Sequence, residues 1–409
     1  MNMHRGWWVA ALALACAGNV SAQEGWSEQL SAAVKGGTVE LDLRYRFEWV
    51  DQDGFDDEAE ASLLRSRITL KSAPLYGFTA LLEADDVTNI GPNDYNSTEN
   101  GKTEFPVVAD PEYTEINQAW LAYGNEAVTA TGGRLRVNHL NQRFVGGVAW
   151  RQNEQTFDGG RVEWKPLDGL LLDATYAYNV NRIFGPDDGA NPADLEGDTI
   201  LLLANYDIAE GHRISGFGYL LDFDEQDDFA AGKTVNLSSD TYGVEYQGRF
   251  GMVDLRASYA TQSDAGDSEL DYDAAYYLAE VGVTVEGIKL QFAWEVLESD
   301  NGVGFATPLA TAHAFQGWAD LFLTTPTDGI EDANVSIGGK IGPVNVKAIY
   351  HDFQAEASSD DFGTELNLIA TWPVNKQFTV QAKYASFDTD VQERFPDTDR
   401  AWLTLQLKL

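Results

Sequence analysis

The stretch ELDLRYRFEW, residues 40–49, alternates between polar and apolar side chains at every step. The apolar positions are Leu41, Leu43, Tyr45, Phe47 and Trp49. The polar positions are Glu40, Asp42, Arg44, Arg46 and Glu48. Because successive side chains of a β-strand point to opposite faces, the stretch predicts a strand with one apolar and one charged face. A soluble β-sandwich could not easily bury these charges, whereas a transmembrane barrel turns its polar face to a wet interior.

The same alternation recurs along the chain, clearly so in residues 65–71, 288–296 and 403–409. A membrane-spanning helix needs about 20 apolar residues. After the N-terminal region, no stretch of that length is free of charge. The sequence therefore predicts an all-β protein, a transmembrane antiparallel β-barrel in the bacterial outer membrane.

Short and long connections between the predicted strands alternate. Turns are predicted at 74–77, 124–127, 166–169, 209–212, 250–252, 286–287, 342–343 and 373–376. Long polar loops are predicted around 51–61, 86–112, 140–155, 181–197, 222–239, 262–272, 298–331, 355–361 and 387–399. Outer-membrane barrels have short periplasmic turns and long extracellular loops. Eight turns with both chain ends in the periplasm predict 18 strands, or 16 if one turn is miscounted. Barrels of this size leave an aqueous channel.

The first residues resemble a secretory signal. Arg5 precedes an apolar run over residues 7–17, and Val20, Ser21 and Ala22 form a small-residue cleavage site. We therefore expect residues 1–22 to be a signal peptide and residues 23–409 to form the barrel. The single cysteine of the chain lies inside this signal, so the mature chain has no thiol chemistry. A lipid anchor on that cysteine is the alternative.

The net charge of −38 excludes nucleic acid as a partner, because phosphate contacts require a basic surface. Acidic residues gather in the predicted loops. One group comprises Asp51, Asp53, Asp56, Asp57 and Glu58, and another comprises Asp222, Asp224, Glu225, Asp227 and Asp228. Such groups can bind divalent cations and bridge them to lipopolysaccharide phosphates. The alternative, favoured by the absence of calcium-loop spacing, is a solvated loop surface.

Basic residues instead lie in or beside the strands, on the polar face. The predicted lumen set comprises Arg44, Arg46, Arg65, Arg67, Lys71, Arg134, Arg136, Arg161, Arg249, Arg256, Lys347 and Lys383. A cationic ring in a pore favours anions. Alternatively, these side chains pair with inward carboxylates and form a neutral, rigid wall. The candidate partners are Glu40, Asp42, Glu83, Asp85 and Glu163.

Two segments go beyond this general pattern: NHLNQRFVGGVAWRQNEQTFD at 138–158 and FATPLATAHAFQGWADLFLTTP at 305–326. With the strand around 65–67, they resemble the alginate-export family of outer-membrane porins. The resemblance implies 18 strands and passage of an anionic uronate polymer through an arginine-lined constriction. The residues that it places there are Arg65, Arg67, Arg134, Arg136, Asn141, Arg143, Arg151 and Asp158. Planar guanidinium groups suit this role because they bind carboxylates at two points.

The second segment lies in the longest predicted loop. Phe315, Trp318, Ala319 and Phe322 stand at helical spacing, which predicts a short amphipathic helix. With His313 and Asp320, this loop is a candidate constriction that folds over the mouth or into the pore. Alternatively, its aromatic rings only pin a long loop to the rim.

Enzymatic activity is not expected, and neither is a cofactor. Of the histidines beyond the signal, His313 and His212 have no evident serine partner, and no Gly-x-Ser-x-Gly motif is present. The expected partners are anionic oligosaccharides or polysaccharides, other small anions and outer-membrane lipid. The competing interpretation within the channel class is a general or differently selective porin for small solutes.

Overall fold

In the computed structural model, which describes residues 23–226, 229 and 232–409, a short helix precedes a single large sheet. The helix α1 spans Gln23–Lys35. The strands are β1 Thr38–Gln52, β2 Ala59–Lys71, β3 Phe78–Asp94, β4 Thr114–Gly124, β5 Val128–Leu135, β6 Thr156–Leu167, β7 Leu170–Asn181, β8 Asp194–Ala209, β9 His212–Phe223, β10 Ser239–Phe250, β11 Val253–Asp264, β12 Asp273–Val285, β13 Ile288–Leu297, β14 Ser299–Asp300, β15 Val303–Gly304, β16 Ile330–Ile341, β17 Val344–Gln354, β18 Asp361–Pro373, β19 Phe378–Thr389 and β20 Thr398–Lys408. Two 3₁₀ helices span Thr234–Leu237 and Ala312–Ala314.

Eighteen of these strands pair antiparallel with their neighbours in sequence, and the sheet closes on itself. β1 pairs with β2 on one side and with β20 on the other, with Asp42 opposite Lys408. The strands β14 and β15 form a separate two-stranded hairpin. The prediction of 18 strands is confirmed, and the alternative of 16 is wrong. Closure leaves no unpaired sheet edge to face the lipid.

The apolar positions of the alternating pattern cover the outside of the barrel. Leu82, Leu121, Val162 and Leu202 remain exposed on this face. Aromatic side chains share this face: Tyr123, Trp164, Tyr178, Tyr259 and Trp372 are all exposed. Aromatic residues at these positions are typical of the girdles at membrane–water interfaces.

The helix α1 was not predicted, because residues 23–37 carry no alternating pattern. It packs on the first periplasmic turn, where the ring of Trp26 stacks on that of Tyr76 with centroids 6.2 Å apart. In the described part of the chain, no helix is both long enough and apolar enough to cross a membrane. The predicted signal peptide lies outside the described residues and stays a prediction.

Two long loops enter the extracellular half of the barrel. We name them L3 (residues 136–155) and L7 (residues 298–329). Phe144 of L3 packs against the inward-facing rings of Phe217 and Tyr276, each with centroids 5.0 Å away, and against Phe305 of L7 at 6.0 Å. These rings belong to the larger of two buried apolar clusters among the described residues. The bore is therefore narrowed from within.

Candidate pore-lining site

Arg44 and Arg46 point inward from β1, as the alternation predicted, but L3 covers them. Arg44 donates to the backbone oxygen of Ala149 at 2.9 Å and to Oε1 of Gln152 at 2.8 Å. Arg46 donates to the backbone oxygen of Trp150 at 2.6 Å. Both arginines are buried. Their donors are used to hold L3 against the wall, so they do not face the water of the bore.

Arg65 and Arg67, on β2, are buried in ion pairs. Arg65 donates to Asp42 at 2.9 Å. Arg67 binds Asp85 at two points and Glu154 of L3 at 2.7 Å. Burial raises the pKa of Glu154, but Arg67 and Arg136 outweigh this effect and lower the pKa to about 2. For this part of the wall, the geometry matches the alternative of charge pairing.

Arg143 and Arg151 are anchors rather than exposed pore residues. Nε of Arg143 lies 2.8 Å from Oε1 of Glu295 on β13, and Nη2 donates to Gln316 of L7 at 3.0 Å. Arg151 donates to Asp320 of L7 at 2.7 Å. Both side chains are buried, because L3, which carries them, packs against L7 and the barrel wall.

Asn141 is half-buried in L3, and its Oδ1 accepts the backbone N–H of Arg143 at 3.3 Å. The bond stays within one loop. The prediction that Asn141 faces a solute therefore has no contact in its support and stays a prediction.

The prediction that Arg134 and Asp158 line the lumen is wrong. Arg134 pairs in register with Asp158 across β5 and β6, and the two share the outer face with Val128 and Val162. Arg134 binds Asp158 at two points, 2.8 and 2.9 Å, and donates to the backbone oxygen of Ile116. Because β5 ends at Leu135, Arg136 leaves the alternation and turns into the bore.

The amphipathic helix predicted in L7 is also absent. Residues 315–322 are irregular, and the only helical element nearby is Ala312–Ala314. Gln316, Gly317 and Asp320 all have positive φ, which a right-handed helix excludes. The backbone N–H groups of residues 318 and 319 bind Glu365 on β18 instead. Of the two alternatives for this loop, the structure places it inside the barrel rather than at the rim.

A lysine of the wall joins both loops. Nζ of Lys383, on β19, lies 3.8 Å from the ring centroids of Trp150 in L3 and Trp318 in L7, and 5.0 Å from that of Trp402. It lies 2.6 Å from Nε2 of His313. An ammonium group only donates, so Nε2 accepts and the ring proton sits on Nδ1. Nδ1 then donates to Asp320 at 2.6 Å.

Burial lowers the pKa of His313 to about 3, and Lys383 and Arg151 add to this effect while Asp320 opposes it. The ring is therefore neutral at pH 7. Asp320 stays ionised, because His313, Arg151 and Arg400 hold its pKa well below the usual range despite burial. His313 and Asp320 thus meet directly, and Trp318 joins them through Lys383; that these side chains form a constriction stays a prediction. Phe315 lies beneath the guanidinium of Arg143, whose Cζ is 4.9 Å from the ring centroid.

Arg136, Arg161 and Arg256 are among the inward arginines that remain partly accessible to water. Arg136 binds Glu83 at 3.1 Å and also binds Glu154. Arg161, on β6, pairs with Asp173. Arg256, on β11, lies 3.6 Å from Glu245. The exposed fractions of the three arginine side chains are 26%, 19% and 25%, whereas those of the four carboxylates are 7%, 2%, 1% and 3%.

Residues 37–301 of the chain match the family model described as alginate export. The chain belongs to the alginate export family. No curated protein matches it in sequence. In fold, this family member resembles Pseudomonas aeruginosa OccK9 (OpdG), at 16% identity and a TM-score of 0.69 over 92% of this chain and 100% of that one.

Two further solved structures resemble this protein at low sequence identity. Pseudomonas aeruginosa OpdK with vanillate gives a TM-score of 0.69 at 13% identity, over 91% of this chain and 98% of that one. Acinetobacter baumannii OccAB2 gives 0.69 at 15%, over 92% and 99%. Together with the family, these likenesses establish an outer-membrane channel for solutes in contact with outer-membrane lipid.

The sequence analysis did not identify the carboxylates that hold L3 and L7 in place. Glu295 and Glu365 occupy inward positions of β13 and β18, and Glu154 lies in L3. The sequence did contain a signal for these residues. Glu295 and Glu365 stand at inward positions of alternating strands, and Glu154 lies in the segment 138–158. Their partners could not be predicted, since those lie on loops with no period.

Within the described residues, the acidic loops of this protein show no metal geometry. Among residues 23–226, 229 and 232–409, no three His, Cys, Asp or Glu side chains are grouped so as to hold a metal ion. Asp227 and Asp228, part of the second predicted cluster, lie outside the described residues.

Proposed function

We propose that this outer-membrane channel prefers small anions, including acidic sugars such as uronate oligosaccharides. The observation that carries the proposal is the asymmetry of two accessible ion-pair groups: Arg136 and Arg256 are more exposed than the carboxylates beside them. At Arg136 and Arg256 a solute in the bore therefore meets the guanidinium side of the pair, whereas at Arg161 it also meets Glu163, whose side chain is 37% exposed. Guanidinium groups bind carboxylates with two parallel hydrogen bonds, so an acidic solute is favoured over a neutral one.

The lysines support the same preference. Lys289 on β13 and Lys347 on β17 share the inward face, and neither has a carboxylate within 4 Å among the described residues. Two carboxylates that stay accessible have a cation beside them: Asp42 is 3.6 Å from Lys408, and Glu163 is 3.4 Å from Arg161. Lys289 and Lys347 therefore add positive charge to the accessible wall, opposed by the inward Glu40 and Glu280, which have no cation within 4 Å among the described residues.

The narrowed bore favours monomers and short oligomers over a free polymer, because L3 and L7 occupy the extracellular half of the interior. A fold neighbour was solved with vanillate, a small carboxylic acid. Several weak contacts in series let such a solute pass, whereas a single tight site would retain it.

Reversal potentials in a potassium chloride gradient across a planar bilayer test the preference. We expect anion selectivity in the native channel, reduced in R136Q and R161Q. Arg134 offers a matched control, since it is an arginine of the same wall on the outer face, and R134Q is expected to leave selectivity unchanged. Cation selectivity in the native channel would reject the proposal.

Substrate class is tested by current block. Oligouronates added to the external chamber should block R134Q and native channels, with weaker block in R136Q, while neutral oligosaccharides of equal length should not block. The second candidate is a general porin, which the pairing of Arg65 and Arg67 favours. Equal effects of acidic and neutral sugars would support it.

A further inference from the structure

Lys383 is a buried lysine of the barrel wall. Its ammonium group is buried, with 6% of the residue exposed, and no carboxylate lies within 4 Å among the described residues. Burial of a charge is costly unless partners replace the lost water. Lys383 therefore needs a compensating environment, and that environment comes from the loops.

Three indole rings and one imidazole supply that environment. Trp150 belongs to L3, Trp318 and His313 belong to L7, and Trp402 belongs to β20. Cations are attracted to the negative faces of aromatic rings, most strongly to tryptophan. The imidazole of His313 also stacks on Trp150, with centroids 4.4 Å apart and planes 5° apart. L3 and L7 thus touch each other and the wall at one point.

We infer that Lys383 is a positioning residue that fixes L3 and L7 in one conformation and so sets a single width for the constriction. It acts through Trp150 of L3 and through Trp318 and His313 of L7. The inference rests on the channel conducting ions, but it does not depend on whether anions are preferred.

Lys383 does not act on the solute itself. Its Nζ is buried against His313 and the three indole rings, so a passing anion cannot reach it. Lys347 provides the contrast, since it lies on the same inner wall, is exposed and has no aromatic cage among the described residues. Removing the charge of Lys383 should disturb the loops, whereas removing that of Lys347 should disturb selectivity.

Single-channel recordings of K383M and K347M test the inference in the full-length mature channel. Methionine keeps the length of lysine and removes its charge. We expect K383M to show several-fold higher open-channel current noise and more than one conductance level, with an unchanged reversal potential. K347M should keep the native noise and conductance and lose part of the anion preference. Native noise in K383M would overturn the inference, as would a reversal potential shifted as in R136Q.

Trp150 supplies a second test that does not alter the lysine. W150F keeps an aromatic face toward Nζ of Lys383 and is expected to conduct quietly, whereas W150L should be as noisy as K383M. Equal noise in W150F and W150L would also reject the inference. Heat-modifiability on gels verifies that each variant forms the barrel. If the native channel showed no anion preference, only the proposed function would be rejected, because current noise is measured independently of ion selectivity.

Discussion

Glu365 on the barrel wall holds the backbone of L7 through a single oxygen atom. Its Oε1 accepts the N–H of Ala319 at 3.0 Å and also accepts the N–H of Trp318. The carboxylate is almost completely buried. Buried backbone N–H groups need a partner, so this side chain satisfies two donors that an irregular loop cannot satisfy alone.

Replacement of Glu365 should therefore release L7. In E365A, both donors lose their acceptor, and unsatisfied buried groups cost roughly 1–3 kcal/mol each. We expect higher conductance and added current noise in bilayer recordings. E365Q retains an oxygen at the same position and should stay close to the native channel. Native conductance in E365A would show that other contacts suffice to hold the loop.

Gly317 should tolerate no side chain, because the loop backbone passes directly over Glu365. Its φ is +81°, and a Cβ there would lie 2.2 Å from Oε2 of Glu365. Gly302, in the same loop, has a φ of +78° with open space around it. We expect G317A to raise conductance and noise as E365A does, while G302A, which adds only backbone strain, leaves both unchanged. Equal effects in the two variants would assign the change to strain rather than contact.

Acid should loosen the constriction through His313. The docked ring has a pKa of about 3, against about 6.5 for a free histidine. The docked loop therefore binds fewer protons than the released loop, and falling pH favours release from about pH 6.5 downward, by up to about tenfold per pH unit. Asp320 does not contribute to this pH dependence at pH values above the ordinary pKa of an aspartate. Its pKa is lowered in the docked state, so it is ionised in both states there.

The measurement is current noise between pH 7.5 and 5, which should rise in the native channel. H313Q keeps an acceptor for Lys383 and cannot titrate, so its noise should depend less on pH. Glu99, whose pKa is raised to about 7 by burial and by Asp187 and Asp188, titrates in the same range in other loops. The H313Q profile carries that contribution, and a native profile no steeper than that of H313Q would contradict the prediction.

The alternation of side chains predicted the fold because it is a local property. In each strand, lipid-facing and water-facing side chains alternate with period two, so residues 40–49 alone indicate the wall of a barrel. Turn composition then fixed the strand number. The prediction failed at Arg134 because Arg134 and Arg136 share one sequence parity, while the end of β5 at Leu135 sends them to opposite sides.

The interior could be predicted only in part. Inward arginines and carboxylates were identifiable by parity, but whether they face water depends on L3 and L7, which have no period. The helical spacing in L7 was misleading: Phe322 packs on Phe353 and Phe395, each with centroids 4.8 Å away, in a cluster shared by three different elements. Contacts between distant segments decide such loops.

Arg143 and Glu295 form the buried charge pair that joins L3 to β13, with Nε and Oε1 2.8 Å apart. Removal of one partner from a buried pair leaves an uncompensated charge, which typically costs about 3–5 kcal/mol, whereas removal of both can be nearly neutral. Gln316 and Tyr276 also donate to Glu295, so a lone carboxylate there would keep only part of its compensation.

We therefore expect R143M to destabilise L3 and L7 more than the double variant R143M/E295L does. The readout is the rate at which a protease cleaves the loops of the channel in liposomes, together with current noise. E295L alone should also destabilise the loops more than the double variant does, because it leaves the guanidinium of Arg143 buried with Thr307 and Gln316 as its side-chain hydrogen-bond partners among the described residues. If the effects of the two single substitutions simply added, the loops would be held by packing of Phe144 and Phe305 rather than by this pair.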